Sequence, residues 1–328
     1  MRGRSKHLCG LVAVIALVLL ACRPGRSSRG KAVERKTFEA IEVAANAKHT
    51  CLLLKSGPPR CFGADDTRDP PMTAAPTEPL RRLRTGRRFA CALRQQGSTL
   101  ACWGDCNATG RCAAPAGAFE DFSLGDDGGG CAWSNAASPR VECWGDPRSR
   151  FPAPAELDTL ALKQLVIGAN WAVALKTDGT LIPWGRGAVV SDPRLTAAVA
   201  GRHAFRSIGG RGALLCLVDT AGGRSCIAHH KNQEPPVVTG SVLRIDAASP
   251  RGAIPACVLV EHAGSRSVRC TPTNKGHHIT GLTGNIVDMA VGDDHVCVLR
   301  AGNQVQCVGD NLFGRVTGRS LFKATDWP

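Results

Sequence analysis

Cysteines are the residues of this sequence whose spacing most directly suggests chemistry. Four of the 16 cysteines lie in the segment CALRQQGSTLACWGDCNATGRC, residues 91–112. Such a group could bind zinc, carry out thiol redox chemistry or form disulfide bonds. A single metal or redox centre would need the pattern once, whereas a structural bond would recur with each repeated element.

The first cysteine of this segment belongs to a series that recurs about every 40 residues. The series is Cys51, Cys91, Cys131, Cys216, Cys257 and Cys297, with steps of 40, 40, 85, 41 and 40 residues. The double step contains WAVALKTDGTLIPWG (171–185), which aligns with FACALRQQGSTLACWG (89–104) and has Val173 in place of the cysteine. The chain therefore contains seven units, and this period is typical of propeller blades.

Each unit begins with a segment that predicts a β-strand and continues into a hairpin that usually ends near Trp-Gly. The predicted first strands are residues 38–43, 80–86, 119–125, 162–168, 205–210, 242–247 and 286–292. The chain also has 37 glycines, 20 prolines and no long stretch of helical periodicity, which favours short strands joined by turns. We therefore predict an all-β fold, a seven-bladed β-propeller with repeats of about 40 residues, over residues 37–328.

Six of the units carry a second cysteine 10 to 13 residues after the first. In an antiparallel hairpin these positions face each other across the strands, at a separation that a disulfide bond spans. The predicted hairpin disulfides are Cys51–Cys61, Cys91–Cys102, Cys131–Cys143, Cys216–Cys226, Cys257–Cys270 and Cys297–Cys307. The fourth unit has Val173 and Pro183 instead, and the joint loss of both cysteines indicates a bond rather than independent metal ligands.

The N-terminus has the parts of an export signal. Basic residues within positions 2–6 precede an apolar run over residues 8–21, and Leu-Leu-Ala-Cys ends at Cys22. The run is too short for a comfortable membrane span. It resembles the signal of bacterial lipoproteins, so we expect residues 1–21 to be a signal peptide, Cys22 to carry a lipid and residues 22–36 to form a tether. An uncleaved anchor is the alternative.

Cys106 and Cys112 remain outside the hairpins. With Cys9 removed and Cys22 lipidated, fourteen cysteines pair evenly, so Cys106–Cys112 is the predicted seventh bond. A zinc site that includes Cys102 is the alternative, but the spacing lacks a Cys-x-x-Cys knuckle and an exported chain favours oxidation. We predict no metal site and no cofactor.

Charge gives a second set of candidate residues. Without the three basic residues of the signal, 38 lysines and arginines face 27 acidic residues, a net charge of +11. This excess raises the possibility of a polyanion partner, but an exported protein is not expected to bind nucleic acid. The densest basic cluster is Arg81, Arg82, Arg84, Arg87 and Arg88, which could contact an acidic protein or an anionic glycan. Solvated charges that discourage edge pairing are the alternative.

Other polar clusters carry a weaker signal. Asp293-Asp294-His295 could bind a cation, and the pairs His229-His230 and His277-His278 could form a metal or pH-sensing surface. Polar rim loops are the favoured interpretation of all three. The sequence contains no nucleophile elbow, phosphate loop or zinc-protease helix, so we do not expect an enzyme.

Several repeats resemble those of the regulator of chromosome condensation family. The similar segments are CALRQQGSTLACWGDC, CAWSNAASPRVECWGDP, VALKTDGTLIPWGRG and CVLRAGNQVQCVGDNLFGR. The resemblance covers about residues 37–320 and implies a seven-bladed propeller, in a cysteine-flanked form similar to exported bacterial lipoproteins. Residues 225–228 and 269–272 lack Trp-Gly, which departs from the family pattern in units five and six. Residues 320–328 resemble the start of another blade and could close the ring by pairing near residues 31–43.

These features predict a monomeric, lipid-anchored propeller of the bacterial cell envelope, in the outer membrane on its periplasmic or surface face. We expect it to bind an unknown protein or glycan through its rim loops, because a propeller presents rigid loops on two faces. The alternatives are an enzyme acting on polysaccharide and an inhibitor or adaptor of a periplasmic enzyme.

Overall fold

A computed structural model describes most of the region predicted to form the propeller. The described residues are 39–46, 49–63, 74–106, 110–125, 128–145, 152–201, 203–228, 235–248, 256–271, 279, 281–293, 295–309 and 322–323. Within them, no helix is long and apolar enough to cross a membrane.

Seven antiparallel sheets follow one another along the chain, and each is built from consecutive strands. Blades 1 to 4 contain β1 (Ala40–Ala45), β2 (His49–Leu54), β3 (Arg60–Gly63); β4 (Leu80–Thr85), β5 (Phe89–Arg94), β6 (Leu100–Gly104); β7 (Asp121–Leu124), β8 (Gly129–Ser134), β9 (Arg140–Gly145); and β10 (Leu162–Ile167), β11 (Trp171–Lys176), β12 (Leu181–Gly185). Blades 5 to 7 contain β13 (Phe205–Arg211), β14 (Leu214–Asp219), β15 (Arg224–Ala228); β16 (Ser241–Ala247), β17 (Ala256–His262), β18 (Ser265–Cys270), β19 (Thr283–Gly284); and β20 (Ile286–Val291), β21 (His295–Arg300), β22 (Gln304–Gly309), β23 (Phe322–Lys323).

The first strand of each blade lies innermost, and the seven inner strands form a closed ring. Each contacts the inner strand of the next blade, and β20 of blade 7 contacts β1 of blade 1. The predicted seven-bladed propeller is therefore confirmed. Each predicted first strand agrees with the observed one to within two residues at either end, because the repeat pattern locates it independently in each unit.

The core lies between neighbouring blades rather than within any one of them. The second strand of a blade is covered on both faces, so β5, β11, β14, β17 and β21 are buried along five consecutive residues. Continuous apolar runs such as those of β11 and β17 are what burial on both faces requires. Blades 5 and 6 form complete hairpins without Trp-Gly, since the cysteine pair and the apolar second strand remain.

The C-terminal segment joins the ring differently from the prediction. Phe322 and Lys323 pair with Val305 and Gln304 of β22, so this segment extends the outer edge of blade 7. The prediction paired this segment with residues near 31–43, whereas its described part pairs with β22. Closure comes instead from inner-strand packing between blades 7 and 1, which needs no strand exchange.

Two short helices lie in the connections on either side of blade 4. A 3₁₀ helix covers Ala155–Thr159 and helix α1 covers Pro193–Ala200. Asp192 caps α1 by accepting a hydrogen bond from the Arg194 amide, and Pro193 occupies the first turn, where a missing N–H costs nothing.

Candidate binding face and central cavity

Disulfides account for every cysteine between residues 51 and 307. The six hairpin pairs have Cα–Cα separations of 4.0 to 4.1 Å, and Cys106–Cys112 has one of 5.3 Å. The sequence predicts the same seven pairs: six from cysteines opposed across hairpins, and Cys106–Cys112 from the even number of cysteines that remain. Cys102 is bonded to Cys91, so the three-cysteine zinc site has no thiolates to offer. Within the described parts of the chain, no group of three or more histidine, cysteine or carboxylate side chains is placed to hold a metal.

The ring has two faces that differ in what they present. We call the end at which the inner strands begin the front face, and the end at which they finish the rear face. Because the second strand runs antiparallel to the first, the turns between second and third strands also lie at the front face. The loops between first and second strands lie at the rear face.

A central cavity of about 480 Å³ runs along the inner strands of all seven blades. We number the aligned repeats from position 1, which is Ala40, Leu80, Phe119, Leu162, Phe205, Val242 and Ile286 in blades 1 to 7. The space exists because position 5 is small in four blades: Ala44, Ser123, Gly209 and Ala290. A Cβ atom at Gly209 would collide with the carbonyl of Ile245 in blade 6, so glycine permits the close approach of these two blades. The volume falls in the range of small-molecule pockets.

Polar residues occupy position 3 of the aligned repeats in every blade, and six of the seven form a ring that lines the cavity. These six are Glu42, Arg82, Asp121, Gln164, Arg244 and Asp288, whereas Ser207 of blade 5 is buried and does not line it. In five blades the residue just before this position is skipped in the strand register, a β-bulge that shifts the following side chains relative to the pleat. Bulges at this level therefore help to set which side chains face the cavity.

Several members of this ring bind the backbone of the next blade. The Glu42 carboxylate accepts hydrogen bonds from the amides of Arg82 (2.9 Å) and Leu83 (2.7 Å). The Gln164 amide both accepts from and donates to the backbone of Ile208 at 3.0 and 2.9 Å. An equivalent contact joins blade 7 to blade 1, because Asp288 Oδ2 accepts a hydrogen bond from the Val43 amide at 3.0 Å.

Charged side chains that line the cavity form two clusters on opposite sides of it. On the blade 2 side, Arg82 and Arg84 share Asp121, with N–O distances of 3.7 and 3.5 Å. On the blade 6 side, Arg244 lies between Asp288 at 2.7 Å and Asp246 at 3.5 Å. Burial alone would lower the pKa of Arg244, but the two carboxylates raise it above its ordinary value, so Arg244 stays cationic.

Arg211 crosses the cavity towards the rear face. Its Nη2 donates hydrogen bonds to the carbonyls of Ala45 (3.0 Å) and Thr85 (3.4 Å). Arg211 belongs to blade 5, whereas its acceptors belong to blades 1 and 2, which lie across the ring. The side chain therefore bridges the cavity near its rear end.

The five clustered arginines of the sequence do not form one patch. Arg82 and Arg84 line the cavity, whereas Arg81 turns away from it and donates to the Glu120 carbonyl of blade 3 at 3.1 Å. Arg87 and Arg88 lie in the rear-face loop after β4, where Arg88 approaches Asp105 at 3.8 Å. An extended strand separates residues five apart by about 16 Å, so neighbours in sequence reach different faces.

The front face carries an apolar arc that the sequence analysis missed. Of five large apolar side chains in the described chain that are more than a third exposed, three occupy position 2 of the aligned repeats: Ile41 (37%), Leu243 (42%) and Val287 (50%). They belong to blades 1, 6 and 7, which are consecutive around the ring. We call these three residues the apolar arc. Blades 2 to 5 carry Arg81, Glu120, Lys163 and Arg206 at this position. Aligning the seven repeats by position would have revealed this contrast.

The polar clusters singled out as cation sites play other parts or lie outside the described residues. His295 is buried, and its Nε2 is 2.7 Å from Thr50 Oγ1 of blade 1, so it links the first and last blades. Its ring covers Gly292, as Phe89 covers Gly86 and Trp171 covers Gly168. Asp294 and the pairs at 229–230 and 277–278 lie outside the described residues.

Residues 286–315, in the seventh blade, match the family model of the regulator of chromosome condensation (RCC1) repeat. In this blade the chain is therefore similar to the RCC1 repeat. Its fold is also similar to the CRINKLY WD40 ectodomain of the Arabidopsis thaliana receptor kinase ACR4, with a TM-score of 0.62, 19% identity, and coverage of 85% of this chain and 98% of that chain. The entire ectodomain of the Physcomitrella patens receptor kinase CR4 gives a TM-score of 0.61 at 23% identity, covering 83% and 74% of the two chains. Comparison with curated protein sequences gives no significant match.

Proposed function

We propose that this RCC1-type propeller is a membrane-anchored, extracytoplasmic protein that binds a partner protein through its front face. Seven disulfides in one propeller support an oxidising compartment outside the cytoplasm. The lipoprotein-like segment ending at Cys22 supports a lipid anchor, with residues 22–36 as the tether. The absence of aspartate after Cys22 favours the outer membrane.

The apolar arc is the observation that carries the binding proposal. Isolated exposed apolar residues are ordinary, but these three recur at one repeat position on consecutive blades. Arg206 of blade 5 and Arg81 of blade 2 occupy the same repeat position on either side of the arc, which gives it a polar border. An apolar centre with a polar border is the usual composition of a protein interface.

The carboxylates of the cavity favour a binding protein over a polysaccharide-acting enzyme. Glycosidases use two carboxylates that flank the scissile bond, one as acid and one as base or nucleophile. Here Asp246 and Asp288 both pair with Arg244, and Glu42 is held by two backbone amides. Glu42 and Asp288 are thus committed to contacts within the ring, and Asp246 alone of these three keeps an available oxygen, so they do not form the pair that flanks a scissile bond.

Crosslinking in native cells, followed by purification and mass spectrometry, tests the binding proposal. We expect one stoichiometric partner protein, and at least a tenfold lower recovery with Leu243→Ser combined with Val287→Ser, because removing a central apolar contact costs about 1 kcal/mol or more. Val199→Ser is the matched control, since Val199 is 40% exposed on α1 and lies outside the arc. Unchanged recovery with the double variant, or recovery of glycan alone, would contradict the proposal.

The anchor is tested separately. Cys22→Ala should abolish acyl labelling and release the propeller from the membrane fraction, whereas Cys9→Ala should change neither. Retained acyl label on Cys22→Ala would show that the anchor lies elsewhere.

A further inference from the structure

The central cavity carries a charge pattern that the docking of a protein on the apolar arc does not use. Its mouth is accessible to solvent, because two residues that line the cavity are half exposed. Val287 is 50% exposed, and the side chain of Arg82 is 51% exposed. Its other end is bridged by Arg211. A small molecule would therefore enter from the front face.

The wall formed by blades 2 and 3 has an excess of positive charge. Two guanidinium groups, those of Arg82 and Arg84, share the single carboxylate of Asp121 at 3.7 and 3.5 Å. These distances are longer than those of well-formed charged hydrogen bonds, about 2.7–2.9 Å. Asp121 Oδ1 also accepts the Phe122 amide at 2.9 Å, so this carboxylate cannot fully satisfy both arginines.

The wall formed by blades 6 and 7 has the opposite excess. Arg244 is shared by two carboxylates, and it binds Asp288 at 2.7 Å but Asp246 Oδ2 only at 3.5 Å. Asp288 is further occupied by the amides of Val43 and Met289. Asp246 Oδ1 accepts the Ala247 amide at 2.9 Å, so Oδ2 is the more available oxygen.

The two walls face each other, because blades 2 and 6 lie three blades apart in a ring of seven. The remaining charges do not remove this asymmetry. Glu42 lies between the walls in blade 1 and is bound by the amides of Arg82 and Leu83. Arg211 donates to Ala45 and Thr85 and adds positive charge at the rear end of the cavity.

We propose that the cavity binds a small zwitterion, an amino acid or short peptide, with its carboxylate at Arg82 and Arg84 and its ammonium group at Asp246. A carboxylate accepts the paired N–H groups of guanidinium, and an ammonium group donates to a carboxylate oxygen. Ile41 and Val287 lie at the mouth of the same cavity, where they can contact an apolar side chain of the ligand. The site does not depend on the protein partner proposed above.

Titration calorimetry with leucyl-leucine and two blocked analogues tests this assignment on the wild-type protein. We expect leucyl-leucine to bind, and both the N-acetylated and the C-amidated dipeptide to bind at least about tenfold more weakly, because each loses one charged hydrogen bond. No binding of leucyl-leucine at millimolar concentration would overturn the proposal. Equal binding of all three compounds would overturn it as well.

Two variants then assign the ends of the ligand. Asp246→Asn should remove the preference for the free ammonium group over the acetylated one, and Arg84→Gln should remove the preference for the free carboxylate over the amide. Arg87→Gln, in the rear-face loop, should bind all three compounds as the wild type does. If Asp246→Asn keeps the full preference for the free ammonium group while its melting temperature is unchanged, the assignment is wrong.

Discussion

Blade 4 and the six disulfide-bonded blades reach the same hairpin geometry by different means. In the six, a bond joins directly opposed residues, as Cys91 and Cys102 do in blade 2. In blade 4 the same register places Val173 opposite Pro183. The hairpin therefore requires a closely approaching pair of residues across the strands, and it does not require that a covalent bond join them.

Apolar packing replaces the bond in blade 4. Val173 and Leu175 are fully buried, in a cluster that also contains Trp171 and Leu195. Leu195 comes from α1, so the connection after β12 folds back over the blade. The Trp171 indole N–H also donates to the Gly212 carbonyl of blade 5 at 2.8 Å, which satisfies its polar atom inside the core.

Pro183 is tolerated because of where it lies in the sheet. The short Cα–Cα separation of the equivalent cysteine pairs, 4.0 to 4.1 Å, marks a non-hydrogen-bonded pair, at which backbone N–H groups point away from the opposite strand. β12 is the edge strand of its sheet, so no ladder bond is lost on its other side.

The strongest way to break blade 4 is Trp171→Ala. We expect a loss of about 3–5 kcal/mol in the free energy of unfolding, because a large buried ring is removed and the Gly212 carbonyl loses one of its two donors, the other being the Ala169 amide. Phe89→Ala is the matched variant in blade 2, where the residue is equally buried but the hairpin is held by Cys91–Cys102. Denaturant unfolding measures the loss, and hydrogen exchange should show wider opening of the β11–β12 hairpin than of β5–β6. A loss below about 1 kcal/mol would show that packing does not support this blade.

Removing a hairpin bond should cost less. Cys257→Ala with Cys270→Ala opens a loop with a sequence separation of 13, and we expect a loss of about 2–3 kcal/mol from the greater entropy of the unfolded chain. Removing Cys106–Cys112, with a separation of 6, should cost less again. Thermal melting of both variants checks the order, and equal stability of the first variant and the wild type would refute the role of the bond.

Installing the missing bond should sharpen the comparison. Val173→Cys with Pro183→Cys restores the pair at a separation of 10, as in Cys51–Cys61, and should raise stability by up to about 2 kcal/mol under oxidising conditions. The gain should vanish on selective reduction, and each single variant should not show it. Failure of the bond to form, checked by mass spectrometry, would mean that the two Cβ atoms do not approach as they do in the other blades.

The hairpins were predictable from the sequence because their determinants are local and repeated. Cysteine spacing gives the register of each pair, and seven copies locate the strand boundaries without reference to one another. The fourth unit was recognisable for the same reason, since Val173 and Pro183 replace both cysteines together.

The cavity was not predictable because its determinants connect different blades. Glu42 binds the backbone of β4 about 40 residues away, and Arg211 reaches across the ring to Ala45. The β-bulges that precede the polar ring leave no distinctive residue in the sequence. Five neighbouring arginines were read as one cluster, although the strand carries Arg84 and Arg88 to different places.

The smallest expected effect concerns the turn of the blade 4 hairpin. Asp178 accepts hydrogen bonds from the Thr180 amide (2.9 Å) and hydroxyl (2.7 Å), and its other oxygen pairs with Lys176 at 2.8 Å. The Lys176 contact and then the Thr180 hydrogen bonds lower the pKa of Asp178 from 3.8 to about 2. A lowered pKa means that the carboxylate stabilises the fold above about pH 4, and that this contribution disappears as the pH falls towards 2.

Because Asp178 is exposed, we expect Asp178→Ala to cost less than about 1 kcal/mol at neutral pH and nothing near pH 2. Asp178→Asn can still accept the Thr180 hydrogen bonds but lacks the charge, so it should lie between the alanine variant and the wild type. Melting temperatures between pH 2 and 7 compare the three proteins. If the asparagine variant matches the wild type throughout, the turn depends on hydrogen-bond geometry alone. If it matches the alanine variant, the charge of Asp178 stabilises this turn. In the other six blades a disulfide bond closes the same hairpin.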